Sequence, residues 1–280
     1  MSGILYLVAT PIGNLEDITF RAVRILREVD LIAAEDTRHT RKLLSHFDIH
    51  TPMIRYDEFT KNIGEKIIDE LSAGKNIACV SDAGMPAISD PGSDLVRLAI
   101  ESDIKISPIP GANAALSALI CSGLSTEKFL FAGFLPKSKK NRTEILQKLS
   151  THEETIIFYE SPHRLNKFFD ELENIFGERN ISVARELTKI HEEFLRGKIS
   201  DIKKIIGEPV GEFVIAVEGC DKNISAPVEE KNFLEEYQNF LTAGLDKKAA
   251  IKQTAIKFNL SRRDAYQAVI EYEKKFGRVI

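Results

Sequence analysis

The sequence is poor in cysteine and has no tryptophan, and these shortages exclude several classes of protein. Its three cysteines, Cys79, Cys121 and Cys220, are far apart, and no Cys/His spacing typical of zinc occurs. We therefore expect no metal, no disulfide framework and a cytoplasmic location. No apolar run reaches the roughly 18–20 residues that a membrane-spanning helix needs. The first residues lack a basic segment followed by a cleavable apolar one, so secretion is not expected.

Two phosphate-binding glycine motifs are also absent, namely G-x-G-x-x-G after a strand and G-x-x-x-x-G-K-[ST]. The net charge of −4 argues against a wholly basic nucleic-acid binder. The charge is uneven, however, because residues 231–280 hold ten Lys and Arg against six Asp and Glu. That segment therefore carries +4 and the first 230 residues carry −8. An acidic body with a basic tail suits an enzyme that uses a small module to hold a polyanion. A basic face that is simply exposed to solvent is an equally good interpretation.

Short apolar runs alternate with helical patterns through the first half of the chain. The predicted strands are Ile4–Ala9, Leu31–Ala34, Met53–Tyr56, Ile77–Val80 and Ile104–Ile109. The predicted helices are Phe20–Val29, Arg38–Phe47, Asn62–Ala73, Ser93–Glu101 and Ala112–Cys121. Because parallel strands buried on both faces read as unbroken apolar runs, this alternation predicts an α/β domain with a mostly parallel sheet.

From Phe129 onward the pattern changes to more strands with shorter connections, which predicts a second α/β domain with a mixed sheet. The predicted division is 1–122 for the first domain, 123–221 for the second, 222–230 for a linker and 231–280 for a helical module. In that module Asp246 and Ser261 are expected to be N-caps, and Gly244 and Asn259 to be helix ends. The module resembles a helix-turn-helix, and a small structural bundle remains an equal alternative.

Three loops follow predicted strands and are expected to line one crevice, since ligands bind at the carboxyl ends of parallel strands. They are TPIGN at 10–14, SDAGMPAISDPG at 81–92 and PGAN at 110–113. We expect Asp82 to accept hydrogen bonds from a ribose or an ammonium group, and Asp90 with Pro91 to cap the next helix. The crevice has few basic residues, which favours a nucleoside cofactor without phosphate, such as S-adenosylmethionine.

The second predicted domain concentrates charged residues at strand ends. They are Glu160, His163, Arg164, Arg185, Glu186, Lys189, His191 and Glu192. So many charges beside buried strands are expected to form ion pairs, to bind a charged substrate, or both. Their spacing gives no metal motif.

Taken together, seven motifs resemble the bacterial 16S ribosomal RNA 2′-O-methyltransferase I family, of the tetrapyrrole-methylase fold group. They are LYLVATPIGNLEDIT, AAEDTRHTRKLL, VSDAGMPAISDPG, PGANAALSAL, GFLP, FYESPHR and ARELTKIHEE. The resemblance implies two α/β domains with S-adenosylmethionine in the cleft between them. It also implies 2′-O-methylation of a decoding-site cytidine (cytidine 1402) of 16S rRNA, within the small ribosomal subunit, by a homodimer.

The resemblance further implies which residues bind the cofactor. They are Pro11, Asp82, Gly84, Met85, Ile88, Pro110, Asn113, Ala114, Tyr159, Ala184 and Leu187. One departure concerns Ser81-Asp82-Ala83, where many relatives have Gly-Asp-Pro, but the aspartate is kept.

A ribose hydroxyl is a poor nucleophile, so a general base is expected, and Glu186 is favoured over Glu160 and His163. The residues expected to hold RNA are Lys137, Lys139, Lys140, Arg142, Arg164, Arg185, Lys189, Arg262 and Arg263. Two rival functions stay open: a methyltransferase of the same fold that acts on a porphyrin-like small molecule, and a non-catalytic RNA-binding adaptor. The basic tail argues against the first, and the retained Asp82 and Pro110-Gly111 loops argue against the second.

Overall fold

The computed structural model describes residues 2–57, 61–220, 230–258, 265–266 and 268–270. The chain forms two compact units, Met1–Gly219 and Cys220–Ile280. The first unit is built on two five-stranded sheets. None of the helices in the described ranges combines the length and apolarity that crossing a membrane requires.

The first sheet has the strand order β3-β2-β4-β1-β5, and all of its pairings are parallel. Its strands are β1 (Ile4–Val8), β2 (Leu31–Ala34), β3 (Met53–Arg55), β4 (Ile77–Val80) and β5 (Lys105–Ile109). The helices between and after them are α1 (Phe20–Glu28), α2 (Thr37–His46), α3 (Lys61–Ser72), α4 (Ser93–Glu101) and α5 (Ala114–Ile120). Two apolar clusters share the side chains of these strands, one with α1 and α2 and the other with α3 and α4. Burial on both faces explains the unbroken apolar runs, and the predicted parallel α/β arrangement is confirmed.

The second sheet has the order β6-β7-β10-β8-β9 and is mixed, because only β6 and β7 run parallel. Its strands are β6 (Phe129–Phe134), β7 (Thr155–Glu160), β8 (Asn180–Arg185), β9 (Glu193–Lys198) and β10 (Phe213–Val217). The helices α6 (Lys139–Leu149), α7 (Pro162–Phe176) and α8 (Ile199–Ile205) supply apolar side chains to one core with this sheet. The predicted mixed sheet is therefore confirmed.

Strand β9 was not predicted, because its sequence EFLRGK contains three charged residues and no apolar run. It pairs only with β8 and lies at the edge of the sheet. Charged residues are common on edge strands, where they discourage pairing with another chain. The position of β9 thus explains why it lacks the apolar run that marked its neighbours.

Helix α5 joins the two sheets. It follows β5 of the first sheet, and it packs against β7, β8 and β10 of the second. Ala115, Ala118 and Leu119 lie in one buried cluster with Ile157 and Val214. The helix begins at Ala114 rather than at Ala112 as predicted, because Asn113 caps it by accepting a 2.9 Å hydrogen bond from the Leu116 N–H.

The second unit contains α9 (Glu230–Thr242) and α10 (Lys247–Lys257). Asp246 caps α10 as predicted, since its carboxylate accepts a 2.7 Å hydrogen bond from the Ala249 N–H. Glu230, predicted to end the linker, begins α9 instead. Of the other residues predicted there, 222–229, Asn259 and Ser261 lie outside the described residues, as do Arg262 and Arg263.

Candidate active-site cleft

The loops after β1, β4 and β5 are fixed to one another by backbone hydrogen bonds. Thr10 and Gly84 form an isolated antiparallel bridge, with N–H to carbonyl distances of 2.9 and 3.1 Å. The Thr10 hydroxyl also donates to the Ser81 carbonyl at 3.2 Å. A Cβ atom on Gly111 would lie 2.9 Å from the Cβ of Ala9, so the β5 loop touches the end of β1. The three predicted loops therefore meet at one edge of the first sheet.

The loop after β2 adds acidic groups to this edge. The Asp82 N–H donates to the carboxylate of Glu35 at 3.2 Å, and the Asp82 carboxylate accepts from the Asp36 N–H at 3.1 Å. Arg38 donates to the carboxylate of Asp36 at 2.7 Å, and its hydrogen bonds hold the pKa of Asp36 well below the usual value. Glu35 and Asp82 are thus linked side by side at the ends of adjacent strands β2 and β4.

The loop between Asp82 and α4 has an unusual backbone. Ala87, Ser89 and Gly92 have φ values of 68°, 62° and 131°, a region that residues other than glycine seldom adopt. A hydrogen bond of 3.1 Å from the Ala87 N–H to the Pro91 carbonyl closes the loop. Positive φ at non-glycine residues costs about 1–3 kcal/mol each and is typical of functional sites.

The prediction that Asp90 caps α4 is wrong. The N-cap is Gly92, and no side chain makes a capping hydrogen bond there. The extra turn of loop closed by Ala87 and Pro91 moves the Asp90 carboxylate away from the capping position. Burial raises the pKa of Asp90 to about 7, and the negative charges of Glu35 and Asp82 add to this rise.

The second sheet meets these loops at two close contacts. A Cβ atom on Gly13 would lie 2.8 Å from the Leu187 carbonyl oxygen and 2.7 Å from the Thr188 hydroxyl. A Cβ atom on Gly133 would lie 2.9 Å from the Ser89 hydroxyl, at the point where the register of β6 against β7 shifts. The hydroxyl of Thr188 is buried and makes no hydrogen bond within the described residues.

The structure brings the predicted cofactor residues to this edge from both sheets. Those from the first sheet's loops are Pro11, Asp82, Gly84, Met85, Ile88, Pro110, Asn113 and Ala114. From the second sheet, Tyr159, Ala184 and Leu187 share an apolar cluster with Ile12 and Ala114. Tyr159 packs edge-on against Phe131 and Phe134, at centroid distances of 5.0 and 5.4 Å, and burial raises its pKa.

The charged residues of the second sheet are largely engaged with one another. Arg164 donates to the buried carboxylate of Glu160 at 3.0 Å and to the Leu135 carbonyl at the same distance. Burial raises the pKa of Glu160. Arg185 donates to the Val210 carbonyl at 2.8 Å. Of the predicted alternatives for the base, Glu160 is thus enclosed in an ion pair, whereas His163 is exposed.

Glu186, the predicted base, lies in a strained turn with φ of 52°. Its Oε1 atom accepts hydrogen bonds from Lys189 Nζ and from the Glu212 N–H, both at 2.9 Å. The hydrogen bond from Lys189 lowers the pKa of Glu186. The structure therefore holds Glu186 in its charged form.

Arg142 requires a correction as an RNA-binding residue. Its side chain is buried, donates to Glu171 at 2.7 Å, and donates to the carbonyls of Pro136 and Lys137 at 3.2 and 3.1 Å. A guanidinium enclosed in this way has no access to an RNA phosphate, so Arg142 holds the Pro136–Lys137 turn against α7. The neighbouring Lys137, Lys139 and Lys140 are exposed, as expected of phosphate contacts.

Glu35, Asp36, Asp90 and Thr188 were not predicted as site residues. A signal for the first two was available, because the Glu-Asp pair directly follows β2, and β2 neighbours β4. The positions of Asp90 and Thr188 depend on loop geometry and on contacts between the sheets. Within the described ranges no cluster of His, Cys, Asp and Glu is suited to a metal ion.

Comparisons with known proteins agree with this architecture. Residues 4–203 match the family of tetrapyrrole (corrin/porphyrin) methylases. The chain is 50% identical over 270 residues to a protein of Halalkalibacterium halodurans named ribosomal RNA small subunit methyltransferase I, covering 94% of this chain and 93% of that one. It is 48% identical over 275 residues to the protein of the same name from Synechocystis, covering 97% and 99%. Among solved structures, uroporphyrin-III-C-methyltransferase from Thermus thermophilus aligns with a TM-score of 0.57 at 17% identity, covering 77% and 94%, which shows a shared fold.

Proposed function

This chain belongs to the tetrapyrrole methylase family and, within it, to the ribosomal RNA small subunit methyltransferase I family, and on that basis we propose its reaction. We propose that it transfers a methyl group from S-adenosylmethionine to the ribose 2′-hydroxyl of a decoding-site cytidine in 16S ribosomal RNA. The name that the relatives carry supports the RNA substrate. The 2′-oxygen and the cytidine come from the resemblance of the motifs.

The observation that carries the cofactor assignment is the acidic character of the cleft. Asp82 and Glu35 lie side by side there, and the loops 10–14, 81–92 and 110–113 contain no Lys or Arg. Such an edge disfavours phosphates and suits a cofactor with a sulfonium and an ammonium group. S-adenosylmethionine has both charges, so the donor set fits it.

Two further features fit the same cofactor. The buried hydroxyl of Thr188 has no hydrogen-bond partner in the described structure, and such a group requires one to offset its desolvation. The apolar cluster that contains Ala114, Ala184 and Leu187 borders the same loops, and such a surface suits the apolar parts of this cofactor. We infer that Asp82 and Thr188 hold polar parts of the cofactor, and that Ala184 and Leu187 contact its apolar parts.

S-adenosylmethionine supplies a methyl group on a positively charged sulfur. The task of the chain is to hold the ribose oxygen in line with the methyl–sulfur bond and to exclude water. A base near the hydroxyl would speed transfer by about 10²- to 10⁴-fold. Glu186 is a weak base here, because Lys189 and the Glu212 N–H stabilise its charged form. We therefore propose that Glu186 fixes the positions of Lys189 and of the loop at Gly211. A Cβ atom on Gly211 would lie 2.6 Å from Glu186 Oε1.

RNA recruitment is proposed to use exposed lysines. Lys137, Lys139 and Lys140 lie at the start of α6, directly after β6, whose Gly133 touches the loop after β4. The basic segment 231–280 is proposed to add affinity, through Arg262 and Arg263 among others. Arg164, Arg185 and Lys189 are partly exposed and could contact phosphate only while keeping their present partners. Because phosphate contacts release counterions, binding should weaken steeply with salt.

The test is transfer of radiolabel from S-adenosylmethionine to small ribosomal subunits from cells that lack this enzyme, followed by nuclease mapping. Label on one decoding-site ribose would support cofactor, reaction and substrate together. Cofactor binding by calorimetry without RNA label would favour the small-molecule alternative. If neither binding nor label occurred, the proposal would be rejected, and an RNA-binding adaptor would be the next hypothesis.

The proposal includes a homodimer, which rests on the family resemblance. Size-exclusion chromatography with light scattering measures it directly. A mass near twice the 31.4 kDa of the chain is expected. A mass equal to that of one chain would remove this part of the proposal and leave the reaction unaffected.

A further inference from the structure

Several carboxylates lie in or near the cleft, and they differ in which groups hydrogen-bond to their oxygens. Asp82 accepts from the Asp36 N–H, Glu160 from Arg164 and Ser161, and Glu186 from Lys189 and the Glu212 N–H. Across the part of the chain that the structure describes, no hydrogen bond or ion pair reaches the carboxylate of Asp90. Its oxygens are therefore available to a bound substrate.

The backbone around Asp90 holds this carboxylate at the meeting point of the two sheets. The preceding residue, Ser89, touches Gly133 of β6, and the positive φ values of Ala87, Ser89 and Gly92 keep the loop from continuing as helix. Strain of this kind persists only where the surrounding structure imposes it, and it is concentrated at functional sites. The loop forgoes a capping bond to α4 that Asp90 was well placed in sequence to make.

We propose that Asp90 is the general base that takes the proton from the ribose hydroxyl during methyl transfer. This inference rests on the proposed function and adds the residue that makes the nucleophile reactive. An oxygen–carbon bond forms as the carbon–sulfur bond breaks, and the sulfur keeps that bond's electron pair. The hydroxyl proton moves to a carboxylate oxygen of Asp90 and then to solvent, so no oxidant or reductant is needed.

The electrostatic surroundings of Asp90 suit this role. Burial raises the pKa of Asp90 to about 7, and the negative charges of Glu35, which follows β2, and Asp82, which follows β4, add to this rise. Burial raises the pKa of the Tyr159 phenol on β7, and the charge of Asp90 adds to this rise, so the two groups lie near each other. A base with a pKa near the working pH is about half ionised and is a good proton acceptor when ionised, which is the optimum for general base catalysis.

The first test compares Asp90→Asn and Asp90→Glu with the wild type in single-turnover methylation of small subunits, across pH 5.5 to 9. Glu101→Gln is the matched control, because Glu101 is an exposed carboxylate at the end of α4. We expect Asp90→Asn to lower the rate by about 10²- to 10⁴-fold, with cofactor affinity by calorimetry changed less than about threefold. Asp90→Glu should recover part of the rate, and the control should match the wild type.

The pH profile separates a base from a structural residue. The wild-type rate should rise with pH through about 7, as Asp90 ionises, and the residual rate of Asp90→Asn should lack this rise. A structural role would instead lower cofactor affinity and rate together at every pH. A rate within about threefold of wild type in Asp90→Asn, or an unchanged rise, would overturn the assignment.

A second variant tests the inference without altering Asp90. Glu35→Gln removes a neighbouring negative charge, so the rise in rate should move to lower pH. No movement in that direction would count against Asp90 as the group that titrates. If the wild type labels the RNA and both tests fail, only the base assignment falls. If the wild type labels no RNA, the proposed function and the base assignment fall together.

Discussion

Gly13 lies so close to Lys189 that a Cβ atom on the glycine would stand 2.6 Å from the lysine Cγ. This contact joins the loop after β1 to the turn after β8. The same Cβ would stand 2.8 Å from the Leu187 carbonyl oxygen, a backbone atom that cannot rotate away. The two sheets can therefore pack this closely at the cleft only because residue 13 is a glycine.

Gly13→Ala is expected to move the two loops apart and to lower the free energy of unfolding by about 1–3 kcal/mol. Cofactor affinity should fall as well, since the proposed cofactor contacts come from both loops. Chemical denaturation and calorimetry measure the two effects. Gly123→Asn is the control, because nothing lies within 4 Å of a Cβ there and asparagine tolerates its positive φ. Equal stability of Gly13→Ala and wild type would show that the contact is loose.

Asp90→Asn is expected to stabilise the fold while impairing the reaction. Burial raises the pKa of Asp90 in the folded chain to about 7 from its ordinary value of 3.8. Its favourable contribution to stability is therefore complete below about pH 4 and is lost as pH rises through about 7. An uncharged asparagine avoids this loss, so the gain in melting temperature should be larger at pH 8 than at pH 4.5. Thermal unfolding at the two pH values checks this, and a gain independent of pH would contradict it.

Glu186→Gln is expected to retain the methylation rate within about threefold, because Glu186 already accepts two hydrogen bonds and is a weak base. The glutamine oxygen can still accept from the Glu212 N–H, while the ion pair with Lys189 is lost. Single-turnover rates measured beside those of Asp90→Asn make the comparison. A loss of 10²-fold or more in Glu186→Gln, with cofactor affinity kept, would restore Glu186 as the base.

Arg142→Ala is expected to lower the free energy of unfolding by about 3 kcal/mol, because it leaves the carboxylate of Glu171 on α7 without its buried partner. Denaturation by urea measures the change. RNA affinity per folded molecule should be unaffected, since Arg142 is enclosed. A stable variant with weakened RNA binding would return Arg142 to the RNA-binding surface.

Replacing Lys137, Lys139 and Lys140 together by alanine is expected to weaken RNA binding without loss of stability. If all three contact phosphate, the slope of log affinity against log salt should become shallower by about two to three. Filter binding over a range of salt concentrations measures the slope. A triple replacement of Lys75, Lys203 and Lys204, which pair with surface carboxylates, is the charge-matched control. Identical slopes in the two triple variants would reject a specific role for the three lysines.

The sequence predicted best those elements whose burial follows directly from their residues. The strands Leu31–Ala34 and Ile77–Val80 and the helix Ser93–Glu101 were predicted with the observed bounds, because they are apolar runs or have one apolar face. The edge strand β9 could not be found in this way, since exposure to water permits charged residues there. The local sequence also gave a wrong N-cap at Asp90, because Asp-Pro is a common start of a helix. The closed loop and the positive φ of Gly92 make Gly92 the N-cap instead.

The sequence could predict those features of the candidate site that follow from one loop or from the order of the strands. That three loops meet at one edge follows from the parallel order of the strands, and Asp82 was placed among them on that ground. The contacts of Gly13 with Lys189 and of Gly133 with Ser89 join residues more than 40 positions apart. Nothing in the local pattern around those glycines specifies a partner.

Helix α5 has a consequence for how the first unit unfolds. Its N-cap belongs to the loop after β5, while its buried face lies against β7, β8 and β10. Opening the second sheet would expose the alanines and leucine of this helix to water, and opening the first would release the loop that caps it, so neither sheet can be lost without cost to the other. We expect residues 1–219 to unfold as one cooperative transition, and hydrogen exchange in β4 and β7 to report the same opening free energy.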